Sequence, residues 1–239
     1  MIFTAAYRAL QRLLTPEYRI MILKALGLTF IVLFIIWLFV RQLFMSYFAV
    51  WIAHFFPVLS NWRGLLELSI LIIFNLGLAL LMAFLIAPIT AMIGSFFIDS
   101  AAEIIEKEDY PNQPIGSTLS LGRSLILSLK FVTLSLLGNA IAFILFFVPG
   151  INLIAFYIIN GYLLGREYFM FAAYRFRSER EARAFLHVHS MTIFGAGLLI
   201  AFFVSIPLLN LATPLFAAAL MTHLHKMLSQ KTSYASHSV

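Results

Sequence analysis

The chain is most constrained by two long hydrophobic runs near its C-terminal end, each interrupted by a proline. Val148-Pro149-Gly150-Ile151-Asn152-Leu153 and Ile206-Pro207-Leu208-Leu209-Asn210-Leu211 share one pattern: a β-branched residue, Pro, two residues, Asn and Leu. The first lies in an uncharged stretch over residues 131–165, and the second in one over residues 190–222. Each stretch consists of two apolar arms of roughly 15–18 residues, fewer than the ~20 that a helix needs to cross a bilayer. Repeated, Pro-interrupted segments of this kind point to a substrate site in a membrane transporter.

The composition places the chain in a membrane. Hydrophobic residues make up 62% of the 239 residues and charged residues 11%, whereas soluble domains carry about 25% charged residues. The absence of Cys excludes disulfides, thiolate metal sites and cysteine nucleophiles. We attribute the net charge of +6 to a positive-inside bias and to contact with anionic lipid, so we expect the lipid bilayer and no nucleic acid as a partner.

The order of polar and apolar segments predicts an all-α integral membrane protein with a single membrane domain over residues 1–228. Apolar residues spaced by three and four alternate with arginines at the N-terminus, which is typical of an amphipathic helix in the membrane interface. Thr15-Pro16 then marks the N-cap and first position of the next helix. The full prediction is an interfacial helix at 1–19, transmembrane helices at 20–40 and 68–98, a cytoplasmic segment at 99–130, a Pro-broken re-entrant helical hairpin at 131–165, a basic cytoplasmic segment at 166–189, a second re-entrant hairpin at 190–228 and a disordered tail at 229–239.

The distribution of Lys and Arg favours hairpins over single crossings. If both C-terminal runs return to their own side, 14 of the 16 Lys and Arg residues lie inside and only Arg41 and Arg63 lie outside. If each run crossed once, the basic segment 166–183 would lie on the opposite side from the N-terminus. Orientation follows the Lys and Arg bias of short loops, so we expect a bacterial inner (plasma) membrane protein with both termini in the cytoplasm.

The hairpin corners are the first candidate anion site. If a helix restarts after Pro149 and again after Pro207, Asn152 and Asn210 are candidate N-caps. Two helix N-termini would then direct free N–H groups and partial positive charge into the membrane interior, where they attract an anion. The alternative is that Pro, Gly and Asn only form a compact turn whose backbone groups are satisfied.

Charged residues near the cytoplasmic ends of the spans are further candidates. Asp99, Glu103 and Glu106 are spaced by four and three, on one face of a helix. They either pair with Arg123 or with the arginines of 166–183 as a cytoplasmic gate, or form a solvated face. Arg166 follows the first hairpin directly and either concentrates anions at a pore mouth or anchors the chain at the interface. The arginines from Arg175 to Arg183 are expected to contact lipid headgroups.

Nothing in the sequence indicates catalysis. The chain carries no His-Glu-x-x-His, Gly-x-Ser-x-Gly or phosphate-binding glycine loop, so we expect neither an enzyme nor an ATP-driven pump, and no cofactor. The pairs His187/His189 and His223/His225 are spaced by two, and such residues point to different faces of a helix. We therefore expect no metal site.

The chain resembles the CysZ sulfate-permease family and its etoposide-induced membrane-protein relatives. The resemblance runs from about Tyr7 to Leu228 and rests on Ala87-Pro88, on Val148-Pro149-Gly150-Ile151, and above all on Ile206-Pro207-Leu208-Leu209-Asn210-Leu211 with Pro214. It implies two spanning helices, two membrane-inserted hairpins, a homo-oligomer and passage of sulfate into the cytoplasm. The family's Gly-hydrophobe-Arg-Arg motif at the first span, which is associated with sulfate, is matched here by Pro16-Glu17-Tyr18-Arg19-Ile20. This string keeps one arginine, Arg19, and places Glu17 where Gly stands.

Two functions remain open from the sequence. The first is an anion permease, with sulfate as the expected cargo, that is not driven by ATP. The alternative is a non-transporting protein whose wedge-like hairpins shape the membrane or scaffold partners. Uptake of sulfate into liposomes separates the two.

Overall fold

A computed structural model describes residues 1–48, 63–118 and 151–237. This part of the chain contains helices and no strand, which confirms the predicted all-α class. The helices are α1 (Ile2–Leu13), α2 (Pro16–Leu43), α3 (Arg63–Ser95), α4 (Ile98–Asp109), α5 (Ile151–Tyr174), α6 (Glu179–Val188), α7 (Ser190–Val204), α8 (Pro207–Asn210) and α9 (Thr213–His237), with a π-helical turn, Phe44–Phe48, after α2. They form two compact units, Leu23–Ile93 on the one hand and Met1–Ile22 with Gly94–Val239 on the other.

The unit Leu23–Ile93 contains the apolar parts of α2 and α3. Two segments of the described chain are long and apolar enough to cross a membrane, Pro16–Tyr47 and Leu68–Ile86, close to the two spans predicted from the sequence. Only 17% and 6% of their apolar windows are buried within the chain. Since apolar side chains avoid water, these helices must be covered by lipid or by other protein. α3 ends at Ser95, and a turn at Phe96 and Phe97 separates it from α4.

The other unit is centred on α9. α1, α4, α5 and α7 all pack against this helix, and the side chains from Leu215 to Leu224 are buried. α1 contributes Ala5 and Ala9, both fully buried, because small side chains allow a close helix contact. α9 continues to His237, whereas the sequence predicted a disordered tail from Ser229. No proline or glycine interrupts the helix there, and the Thr232 hydroxyl donates to the Leu228 carbonyl (3.0 Å).

α7 and α9 form an antiparallel hairpin around the second proline corner. Near the corner, the Phe203 and Phe216 rings stack with centroids 4.2 Å apart. At the opposite end, Phe185 contacts both His189, before α7, and His225, late in α9, at centroid distances of 4.6 and 5.7 Å. A helix of 15 residues such as α7 is only about 22 Å long, which is shorter than the ~30 Å hydrocarbon core of a bilayer. α6 meets α7 at an angle of 88°.

α5 is the second arm of the first predicted hairpin, and it packs against α7 through glycines. A Cβ at Gly165 would lie 2.8 Å from the Ile193 carbonyl oxygen, and one at Gly197 would overlap the Gly161 carbonyl. Only glycine permits such an approach of two helix backbones. The first arm and the corner Val148-Pro149-Gly150 lie outside the described residues.

Candidate functional site

A buried guanidinium organises the polar end of the unit built around α9. Arg175, which follows α5 directly, is only 4% exposed. Its Nε donates to Glu106 Oε1 (2.8 Å) and its Nη2 to Glu106 Oε2 (3.1 Å), so the pair is bidentate. Its Nη1 donates to Asp99 Oδ1 (2.6 Å). We call Asp99, Glu106 and Arg175 the ion cluster.

The two carboxylates of the ion cluster differ in exposure. Glu106 is 1% exposed, whereas the Asp99 side chain is 42% exposed. Both project from α4, where Asp99 lies in the first turn and is favoured by the positive end of the helix dipole. One positive and two negative charges give the ion cluster a formal charge of −1, so it does not attract an anion while it is closed.

The ion cluster also fixes the loop that follows α4. The Gly116 N–H donates to Glu106 Oε2 (2.8 Å), Arg175 Nη2 donates to the Gly116 carbonyl (3.4 Å), and the Ser117 N–H donates to the Arg175 carbonyl (2.9 Å). From α9, the buried Lys226 ammonium donates to the Pro114 carbonyl (2.9 Å) and lies 4.1 Å from the Phe176 ring centroid. The loop Tyr110–Thr118 is therefore tied to α4, to the end of α5 and to α9.

Histidine and tyrosine extend the polar region on the other side of α9. His223 is fully buried, and its Nδ1 lies 3.1 Å from the Tyr110 hydroxyl. Burial lowers the pKa of His223 to about 4 and the pKa of His225 to about 3, so both imidazoles are neutral at neutral pH. The approach of Asp109 to His223 Nε2 (3.6 Å) is then not an ion pair. In the described residues no group of His, Asp and Glu is arranged to hold a metal ion.

The predicted acidic face divides into two parts. Asp99 and Glu106 join Arg175 in the ion cluster, whereas Glu103 pairs with Lys107 on the exposed side of α4 (2.6 Å). This pair lowers the pKa of Glu103 through its hydrogen bond and charge. Of the three predicted residues, Glu103 thus belongs to a solvated face.

The predicted anion-contact residues lie apart from one another. Arg19 is exposed on the first turn of α2, and Arg166 is partly exposed within α5. Position 152 belongs to the first turn of α5, while Pro149 and the Asn152 side chain lie outside the described residues. In the described part of the chain, no hydrogen bond or ion pair joins Arg19, Arg166 and Asn210 to one another.

The second corner differs from the sequence prediction in how its helices begin. Pro207 is the first residue of the four-residue helix α8 and is exposed, and the cap of α8 is Ile206. Asn210 is the last residue of α8, and the long helix α9 begins only at Thr213. The prediction that Asn210 caps a restarting helix is therefore wrong. Proline at the first helical position presets the helical φ angle, so the helix starts at Pro207 and needs no asparagine cap.

Sequence reasoning missed the residues that hold the ion cluster to its surroundings. For Arg175, the expected contact with lipid headgroups is wrong because the side chain is buried. Its ion pairs with Asp99 and Glu106 match the alternative in which the acidic residues pair with arginines of 166–183. Lys226 and Tyr110 carried no prediction at all. The sequence does show that Lys226 is a lone cation near the end of an apolar helix. Since burying a cation without a partner is costly, this position indicates that a partner is needed.

The comparisons with known proteins agree with the helical membrane architecture. The family model described as sulfate transporter CysZ/etoposide-induced protein 2.4 matches residues 5–214. This range covers most of the chain, from α1 to the start of α9. No curated protein matches the chain in sequence.

Proposed function

Because the chain belongs to the sulfate transporter CysZ/etoposide-induced protein 2.4 family, we propose that it is a permease that carries sulfate across the bacterial inner membrane into the cytoplasm for sulfur assimilation. The match over residues 5–214 carries this proposal. No phosphate-binding loop is present in the sequence, so transport follows the anion gradient or a coupled ion and does not use ATP.

The path is lined by the two re-entrant hairpins. The hairpin of α7 and α9 supports re-entry, because α7 is too short to cross alone and its open end carries histidines and arginines. The placement of 14 of 16 basic residues on one side supports cytoplasmic termini. We include a homo-oligomer in the proposal because the polar corners of short hairpins cannot be satisfied against lipid.

The ion cluster serves as the cytoplasmic gate. While Asp99 and Glu106 hold Arg175, the guanidinium is neutralised and the loop Tyr110–Thr118 is fixed. Asp99 is the weaker partner because its side chain is half-exposed and water screens its charge. Release of Asp99 frees Arg175 Nη1 to contact a passing anion, while Glu106 keeps the guanidinium in place. Re-pairing of Asp99 with Nη1 then restores the closed state.

Three other positive elements draw the anion towards the path. Arg166 follows directly on the first uncharged stretch and raises the local anion concentration. Arg19 does the same at the start of α2. The third is the helix N-terminus that the sequence predicts after Pro149, with Asn152 as its candidate cap.

Uptake of labelled sulfate into liposomes that contain the purified oligomer tests the proposal. We expect flux above that of protein-free vesicles, and we expect Asp99→Asn to change the rate severalfold because it loosens the gate. Glu103→Gln is the matched control: it removes the same charge from the same helix without touching Arg175, so its rate stays within about twofold of the unaltered protein. Absence of flux in a folded oligomer refutes the permease and favours the membrane-shaping alternative.

A further inference from the structure

A polar pocket lies between the ends of α1 and α4, away from the ion cluster. It has a volume of about 470 Å³ and is lined by Arg8, Gln11, Arg12, Thr15, Glu108 and Asp109. Two cations and two carboxylates therefore face one cavity at the aqueous end of the molecule. A cavity of mixed charge favours a ligand that carries both charges itself.

Arg12, one of the two cations, is already paired with carboxylates of the chain. Arg12 donates from Nε to Asp109 Oδ2 (2.8 Å), and its two terminal nitrogens contact Asp109 and Glu108. The hydrogen bonds that Arg12 donates to Asp109 and to Glu108 raise the pKa of Arg12. Arg12 is thus permanently charged and neutralised by its partners, and it forms one wall of the pocket.

The remaining binding capacity lies on Arg8 and Glu108. Arg8 is exposed, and its Nη1 reaches the Tyr110 hydroxyl only at 3.4 Å, which leaves its other N–H donors for a ligand. Glu108 contacts Arg12 through Oε2, and its side chain is 46% exposed, so Oε1 is available as an acceptor. The pocket thus offers one anion contact and one cation contact.

An apolar stripe on α1 runs beside this pocket. Phe3, Tyr7, Leu10 and Leu14 are exposed by 80%, 62%, 45% and 67%, and their spacing places them on one side of the helix. Gln11 of the pocket follows Tyr7 of the stripe by four positions, so the stripe and the pocket are adjacent around the helix. A molecule with a zwitterionic head and apolar chains matches both surfaces together.

We propose that this pocket binds the headgroup of a phospholipid that carries a primary ammonium group, such as phosphatidylethanolamine. The phosphate contacts Arg8, the ammonium donates to Glu108, and the acyl chains follow the stripe on α1. A quaternary ammonium has no N–H group and cannot donate to Glu108. The site therefore discriminates between ethanolamine and choline headgroups, and this inference does not depend on the proposed transport of anions.

Thermal unfolding of the delipidated full chain in detergent measures this preference. The probes are short-chain phosphatidylethanolamine, its N-methylated forms, phosphatidylcholine and free phosphoethanolamine. We expect phosphatidylethanolamine to stabilise the protein at a concentration about three to ten times lower than phosphatidylcholine does. The N-methylated forms should fall in between.

Variants assign the two contacts. Glu108→Gln should reduce the preference for ethanolamine, because a neutral amide oxygen accepts from an ammonium more weakly than a carboxylate does. Arg8→Gln should weaken the binding of both lipids by a similar factor. Lys107→Gln is the control, because Lys107 neighbours Glu108 in sequence but pairs with Glu103. Both pocket variants are at exposed positions, so folding is retained.

Four outcomes overturn the proposal. Equal stabilisation by the two lipids would show that the proposed headgroup contacts are not made. An unchanged preference for ethanolamine in Glu108→Gln would show the same. Equal binding of free phosphoethanolamine assigns the pocket to a soluble zwitterion. A lower oligomer mass in Leu14→Gln, with unchanged lipid binding, assigns the stripe to a second copy of the chain.

Discussion

Replacement of Glu106 by Gln removes the charge that compensates a buried guanidinium. Glu106 accepts from Arg175 Nε, Arg175 Nη2 and the Gly116 N–H, and both charged residues are almost fully buried. Removing one partner of a buried ion pair costs about 3–5 kcal/mol. Because Arg175 keeps Asp99, we expect the lower limit, about 3 kcal/mol.

The loss is measurable as a shift of the unfolding midpoint in detergent. For a chain of this size, 1 kcal/mol corresponds to about 2–4 °C, so Glu106→Gln should lower Tm by about 6–12 °C. Glu103→Gln removes the same charge from the exposed face of α4 and should lower Tm by no more than about 2 °C, since an exposed i,i+4 pair contributes about 0.3–0.5 kcal/mol.

A double-mutant cycle separates the ion pair from general damage. In Arg175→Met the uncompensated charge disappears, so adding Glu106→Gln should cost at least 1 kcal/mol less than it does in the unaltered protein. A Tm change below 2 °C in Glu106→Gln, or additive effects of the two substitutions, would refute the account of the ion cluster.

Three further predictions concern packing and pH. Gly197→Ala should lower Tm because the new Cβ would overlap the Gly161 carbonyl, at a cost of about 1–3 kcal/mol. The control Gly77→Ala has open space around the new Cβ and should leave Tm unchanged or raise it. Equal effects of the two substitutions on Tm would contradict the glycine contact. Folding lowers the pKa from about 6.5 to about 4 for His223 and to about 3 for His225. The unfolded chain therefore binds more protons than the folded chain below pH 6.5. The free energy of unfolding should accordingly fall as the pH drops from 6.5 towards 4. His223→Gln should reduce this loss by about 2 kcal/mol at pH 5, and a pH profile identical to that of the unaltered chain would show that His223 titrates normally.

The sequence predicted those parts of the fold that depend on local composition. The apolar runs predicted spans at 20–40 and 68–98, and the structure has candidate spans at Pro16–Tyr47 and Leu68–Ile86. The agreement follows because length and hydropathy decide whether a helix can cross a bilayer. The proline at position 207 located the second corner for a similar reason, since it removes a donor and ends a helix locally.

The ion cluster depends on contacts that sequence spacing does not record. Glu106 and Arg175 are 69 positions apart, and nothing in the charge pattern distinguishes Arg175 from the other arginines of the basic segment. Only the packing of α9 against α4 and α5 buries the guanidinium and selects its partners. The prediction that Asn210 is an N-cap is wrong for a different reason. Pro207 starts the short helix α8 without an asparagine cap, and the long helix α9 begins only at Thr213.

The topology of the basic segment is the most direct test, because the gate and the re-entrant hairpins both require it on the cytoplasmic side. The chain contains no Cys, so one cysteine introduced by Arg180→Cys, at an exposed position of α6, reports its own location to a membrane-impermeant maleimide. We expect labelling in inside-out vesicles and none in intact spheroplasts, as for a Gln11→Cys control on α1. Labelling of Arg180→Cys from outside the spheroplasts would contradict the proposed architecture and its mechanism together.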